Sequence, residues 1–316
     1  MRPSNVCEQP HHWGYPVKEP HPNIQTVLTT NQMMKPLLLC LTLALPLAAQ
    51  PLFGQASEIP SAGPAHPAGA TEEQRGRKLL DQALEALGGD AWLNRHNLQV
   101  YGRIGRFFHG SPTGITSDFT STRQFAGAGR VDAERIGFIT DRSMILPGKK
   151  IDVVHIWTDG HGYEITYKGK TELPKDQVTD YFRRAAHSVE SIYNVWLNAP
   201  GVVVLYEGTG MVGRRLSDKV TILSADNDAV TVELDATSHL PLRRSFQWRN
   251  QQFRDFDKDV EEYEDYHTVQ GLPTAYSLTR YLNGDTVSQT FLTKIAYDVD
   301  LPPDFFNPEI LVKKKK

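Results

Sequence analysis

"VEEYEDYHTVQGLPTAYSLTRYLNGDTVSQTFLTKIAY", residues 260–297, decides the fold. Three runs of β-forming residues, 260–267, 274–282 and 287–297, are parted by links of hairpin length. The first link carries Gly271 and Pro273, and the second is Asn283-Gly284-Asp285, residue types that tolerate or preset turn dihedrals. Parallel strands need crossovers of about a dozen residues or more, so links this short demand antiparallel neighbours.

The same period of two continues upstream. Residues 98–109, 115–125, 130–140, 151–157 and 163–167 alternate or cluster β-formers between turns such as Pro147-Gly148 and Asp159-Gly160. Further runs follow at 202–207, 219–224, 230–235 and 242–248, with Asp226-Asn227-Asp228 composed as a hairpin turn. Two segments keep a helical period instead. Thr71-Glu-Glu-Gln74 is a capping box, Leu79, Leu80, Ala83, Leu84 and Leu87 form a stripe, and Gly88-Gly89 ends it. Over 175–197, Val178, Tyr181, Phe182, Ala185, Val189, Ile192, Tyr193 and Trp196 make one wide apolar stripe, stopped by Pro200-Gly201. About a dozen short strands and two apolar helices predict an α+β fold: a large curled antiparallel sheet, an unclosed β-barrel, with the helices lying in its hollow as a lid.

The N-terminal region sets the compartment. Residues 33–56, "MMKPLLLCLTLALPLAAQPLFGQA", place one cation (Lys35) before an apolar run and end at the small-x-small site Gly54-Gln55-Ala56. That is the anatomy of a secretory signal peptide, and the run falls short of the roughly 20 apolar residues a bilayer core needs. Cys40 sits inside the apolar run, so it is not a lipidation site. Residues 1–32 then read as a disordered extension or sequence upstream of a true start at Met33 or Met34. Residues 57–70 (SEIPSAGPAHPAGA) read as a flexible linker, 71–312 as one half-barrel domain, and 313–316 as a basic tail of four lysines. Cleavage after Ala56 removes Cys7 and Cys40, the two cysteines of the 316-residue chain, and excludes thiol chemistry. A net charge of −3 argues against nucleic acid as a partner.

No motif compels a reaction. Gly208-Thr-Gly210-Met-Val-Gly213 spells G-x-G-x-x-G, but β-branched Val220-Thr-Ile follows where a dinucleotide site needs a helix, so these are hairpin glycines. Gly169-Lys170-Thr171 lacks the earlier glycine of a phosphate loop, Glu164 standing in its place. The acidic run from Asp255 to Asp265 has Val260 and Tyr266 where a calcium loop needs Gly and Glu, and reads as the wet face of a strand. His155 and His161 lack metal-ligand spacing, and no G-x-S-x-G elbow is present. No catalytic residue, metal or cofactor is expected.

The C-terminal pattern resembles a known family. Asp265-Tyr266, the Gly271–Pro273 link, Asn283-Gly284 and the Leu301–Phe305 ending are similar to the close of the LolA-like periplasmic carriers that sort outer-membrane lipoproteins. "VELDATSHLPLR" (232–243), "ALGGDAWLNRHNLQVYGRI" (86–104) and "IWTDGHGYEI" (156–165) fit the family's upstream strands and turns. The resemblance implies a Gram-negative periplasmic protein whose half-barrel, lidded by helices, shelters acyl chains. The family's arginine latch matches no position here by motif. The expected function is a monomeric, non-enzymatic carrier of lipid, acyl chain or lipoprotein, with transient contact at a membrane or membrane protein. The alternatives are a sensor or interaction module on the same fold, with its hollow filled by side chains, and, more remotely, a hydrolase with an unrecognised site. Candidate cavity residues are Tyr181, Val189, Ile192 and Trp196 on the helix, with Val230, Val232, Leu234, Phe246, Trp248, Phe291 and Ile295 on strands, grouped by shared parity. If the leader is read correctly, N-terminal sequencing of the exported protein should begin at Ser57. Residues 1–32 on that protein would refute the start assignment.

Overall fold

The computed structural model describes residues 71–315, with 128–129, 131, 142–148, 251 and 254 excepted. The leader, the linker, the stretch before them and the Pro147-Gly148 turn lie outside the described residues. Helix α1 (Glu72–Leu87) forms where its capping box requires: Gln74 N–H donates to Thr71 Oγ1 at 3.2 Å, and Thr71 N–H to Gln74 Oε1 at 3.0 Å. Gly88 and Gly89, both at positive φ, end it, and a short helix α2 (Asp90–Leu93) leads into the sheet.

Thirteen described strands form a single antiparallel sheet. The first six are β1 (Asn97–Phe108), β2 (Ser111–Gln124), β3 (Ala133–Asp141), β4 (Lys149–Thr158), β5 (His161–Thr166) and β6 (Gly169–Glu172). The other seven are β7 (Val203–Val212), β8 (Arg215–Leu223), β9 (Ala229–Asp235), β10 (Pro241–Arg249), β11 (Phe256–Val269), β12 (Leu272–Leu282) and β13 (Asp285–Tyr297). Each expected strand is present, and the 260–297 region is the expected meander β11–β12–β13. Polar β6 was not legible in the sequence; it forms by pairing with β5 at an edge. In space the order is β6-β5-β4-β3-β2-β1-β13-β12-β11-β10-β9-β8-β7. Two meanders are therefore joined through β1 and β13. Their outer strands, β6 and β7, follow one another in the chain and do not pair, so the sheet is unclosed.

The segment linking those edges departs from expectation. The single helix expected over 175–197 is broken into α3 (Lys175–Ala186), α4 (Val189–Asn194) and a 3-10 turn, Trp196–Asn198. Ser188 caps α4, its Oγ accepting from Ser191 N–H, while Trp196 Nε1 donates to the carbonyl of Ala186 at 2.8 Å. The break separates two halves of the apolar stripe. No residue of α3 is fully buried, whereas Val189, Ile192, Tyr193 and Trp196 are. These pack with Leu80, Ala83 and Leu87 of α1 and Trp92 of α2 onto Val204, Val220, Ile222, Val230, Val232 and Leu234. Gly76 allows the approach of α1, since a Cβ there would lie 2.8 Å from Val204 Cγ1.

A last helix, α5 (Pro308–Lys315), was also not expected; it turns most of the lysine tail into helix backbone. Its Leu311 packs beside Val154, Ile156 and Ile165, and Glu309 pairs with Lys170. Strand β4 is thus apolar on both sides. Trp196→Ala should lower unfolding free energy by about 3–5 kcal/mol, as for a large aromatic cut from packed core. Val178→Ala on α3 should cost about 1 kcal/mol or less, near the surface range. Urea unfolding of the two variants checks the division of the stripe.

Candidate functional site

The helical core fills the β7–β9 half of the sheet's inner face. Over the other half the strands and α3 line an open hollow of about 1030 Å3. Its apolar lining is Ile104 (β1), Phe119 (β2), Ile136 and Phe138 (β3), Trp157 (β4), Leu278 (β12) and Val287 (β13). Gln177, Asp180, Tyr181 and Arg184 of α3 line it too. A smaller cavity of about 310 Å3 shares Phe119, Tyr181 and Leu278 and reaches Leu98, Val100 and Leu292. The size is that of small-molecule pockets.

Charged groups sit at set places in this lining. Tyr181 stacks on Trp157, ring centroids 4.2 Å apart, and its hydroxyl donates to Glu134 Oε2 at 2.8 Å. Ser121 Oγ donates to the other oxygen of Glu134 at 2.6 Å. Burial, and then the Glu134 carboxylate, push the Tyr181 hydroxyl well above its usual pKa, so it stays a donor. His155 meets Glu164, its cross-strand neighbour, at 3.1 Å. The Trp157 indole N–H is buried with no acceptor among the described residues.

Deeper, Asp259 is clamped between two guanidinium groups. Arg244 Nη1 donates to one of its oxygens at 2.9 Å and Arg280 Nε to the other at 2.7 Å. Arg244 also reaches Glu261 at 3.1 Å, which accepts from Tyr263 at 2.8 Å. Arg280 continues to Asp180 of α3 at 3.3 Å, and Asp180 accepts from Arg184 at 3.1 Å. One chain of charge pairs therefore runs from the sheet interior to α3. Breaking such a pair is costly because the partner is left as an uncompensated buried charge. Burial opposes ionisation of Glu261, but Arg244 and Tyr263 outweigh it and hold the carboxyl below its usual range.

Of the sequence candidates, Tyr181 alone lines this hollow. Val189, Ile192, Trp196, Val230, Val232 and Leu234 lie together in the filled half, buried in the helix–sheet core. Phe246 is buried with its ring stacked 4.1 Å from His187, and Trp248 is half-buried under the Arg183 guanidinium. Ile295 packs at the edge of the same core. Phe291 corrects the parity argument: it is 52% exposed, while Thr290 and Leu292 face inward. A β-bulge lies between the pairings Gly102↔Leu292 and Tyr101↔Lys294, so Thr293 is an extra residue and inverts the alternation before Ile295. Gly102 belongs to this irregularity, since a Cβ there would lie 2.6 Å from the Phe291 carbonyl oxygen. The hollow-lining residues of β1–β4 are not among the sequence candidates. The Glu134/Ile136/Phe138 and His155/Trp157 alternations were readable, but on β4 the opposite parity is apolar as well.

No protein-family model matches the sequence, and comparison with curated proteins finds no match. Solved structures do. A DUF1329 family protein from Desulfovibrio piger is 14% identical with a TM-score of 0.51, covering 77% of this chain and 100% of that one. A putative outer membrane lipoprotein-sorting protein domain from Vibrio parahaemolyticus is 10% identical with a TM-score of 0.48, covering 76% and 100%. A LolA superfamily protein from Nitrosomonas europaea is 11% identical with a TM-score of 0.43, covering 76% and 100%. The chain shares its overall fold with the Desulfovibrio piger protein. At such identities the likeness is one of architecture, and the chemistry rests on the residues above. Among the described residues no helix is long and apolar enough to cross a membrane.

The stability that Glu261 contributes should be complete above its unfolded pKa of about 4.3 and lost as pH falls through the lower folded value. Urea midpoints taken from about pH 6 down to about pH 2 should therefore fall less steeply for Glu261→Gln than for the parent. Equal slopes would show that the carboxylate is not held by Arg244.

Proposed function

We propose that this LolA-like chain is a periplasmic, non-enzymatic carrier that shelters the acyl part of a lipid or lipoprotein in the hollow under α3. The observation that carries the reading is the unequal filling of the inner face. Helices α1 and α4 pack on β7–β9, which leaves Ile104, Phe119, Ile136, Phe138, Trp157 and Leu278 around open space under α3. Transferring an acyl chain there gains about 0.8 kcal/mol per CH2, so a partly inserted chain binds measurably. Helix α3 acts as the lid: it has no fully buried residue, and the Asp180–Arg280 and Tyr181–Glu134 contacts tie it to the sheet. The buried Trp157 N–H and the carboxylate of Glu134 offer polar contacts to a headgroup.

The charged part of the lining favours a second reading, an interaction module whose hollow receives a polypeptide instead of a lipid. Titration with a fluorescent fatty acid separates the two. Saturable binding at micromolar concentration is expected, abolished by Phe138→Asp with the circular-dichroism spectrum retained, and unchanged by Phe291→Asp on the outer face. If the parent protein shows no saturable binding, the carrier reading fails and the interaction module takes its place.

A further inference from the structure

Strand direction sorts the hairpin tips onto two rims of the sheet. Because every neighbour is antiparallel, the tips after β1, β5, β10 and β12 all lie on one rim. Three of them are joined. His109 Nδ1 lies 3.8 Å from Asp285 Oδ2, linking the first tip to the last. Asn283 in turn accepts from Lys258 N–H at 2.7 Å and donates to Asp257 at 2.9 Å, linking the last to the start of β11. This rim carries four highly exposed aromatic rings: Phe108 at 70%, Tyr167 at 81%, Phe253 at 72% and Phe256 at 59%. The opposite rim has no exposed aromatic residue among those described, while the remaining exposed rings, Tyr101 and Phe291, lie within strands.

The charges on the rim are unequally committed. Asp257 accepts from Asn250 and Asn283, and Asp255 from the Phe256 N–H. Arg106, Lys168, Arg249 and Lys258 have no acidic side-chain partner among the described residues. Separate aromatic rings at turn tips, interleaved with unpaired cations, suit a headgroup layer, where the rings enter the acyl boundary and the cations meet phosphates. An acidic protein would complement the cations but gives no reason for four rings to stand apart on different turns. The hollow's lining extends to this same rim through Arg106, Phe107 and Val287.

We propose that this rim docks on a phospholipid bilayer. The proposal concerns the rim and stands apart from the contents of the hollow. The test is co-sedimentation of the full chain, as processed by the cell, with vesicles of three parts phosphatidylethanolamine to one part phosphatidylglycerol. The parent protein should bind, and Phe108→Ser with Phe253→Ser and Phe256→Ser should weaken binding by about ten-fold or more. Neutralising Arg106, Lys168, Arg249 and Lys258 to Gln should weaken it further, whereas Tyr101→Ser with Phe291→Ser should leave it unchanged. No binding by the parent, or full binding by the triple variant, overturns the proposal. Loss with the charge variant alone also overturns it, in favour of an acidic partner. Each variant is also titrated with the fluorescent fatty acid. Probe binding without vesicle binding removes the rim alone, and vesicle binding without probe binding removes the carrier reading alone.

Discussion

The packing of α1, α4 and Trp196 against β7–β9 is the constraint on which the rest of the structure depends. Of the three longer helices before β7, α1 and α4 use the same half of the sheet. Tyr193 locks the arrangement, its hydroxyl donating to the Leu80 carbonyl at 2.8 Å while its ring meets Trp92 edge-on at 5.7 Å. Leu80, Ile192, Ile222, Val230 and Leu234 are almost wholly removed from water there, so this half supplies the larger hydrophobic contribution to folding. Over β1–β4 there is only α3, which has no fully buried residue and so leaves space beneath it. The hollow follows from where the core is.

The boundary between the two halves is electrostatic. Asp259 is fully buried, and its two arginine partners are what allow an ionised group to remain there. The same arginines carry the network outward to Glu261 and to Asp180 of α3. Arg95 does comparable work at the other end of the linking segment, pairing with Glu190 of α4 at 2.8 Å while lying over the Trp92 ring. Burial draws its pKa down and Glu190 partly offsets this. The helices that cross from one sheet edge to the other are thus both tied by charge pairs, and α4 is buried in apolar core as well.

Strand β4 shows how a sheet can hide its inner face from a reader of its sequence. Val154 and Ile156 point to α5 and Leu311, while His155 and Trp157 point to the hollow. An antiparallel strand with one wet face alternates apolar and polar side chains, but a strand covered on both faces does not. Coverage by α5 came from a stretch, 308–315, whose lysines and weak amphipathicity mark it as tail. Its helix depends on tertiary contact, including the Lys170–Glu309 pair.

The sequence by itself determined the strands other than β6, their antiparallel connections and the first helix with its cap. Each of these is set by interactions between residues near in sequence: alternation along a strand, turn dihedrals at Asn283-Gly284, hydrogen bonds within Thr71–Gln74. It also marked the 175–197 stripe as facing the sheet, of which only the 189–196 half is fully buried. Tertiary structure decided where. The break at His187 and Ser188 is stabilised by Asp228 and Phe246, which are distant in sequence. The inversion at Thr293 exists only because β13 pairs with β1 across a register shift. The candidate site was legible at Tyr181 and displaced elsewhere, because parity groups residues on a strand without saying which group faces a cavity. A hollow is the space left over after every long-range contact has been made, and no local pattern records it.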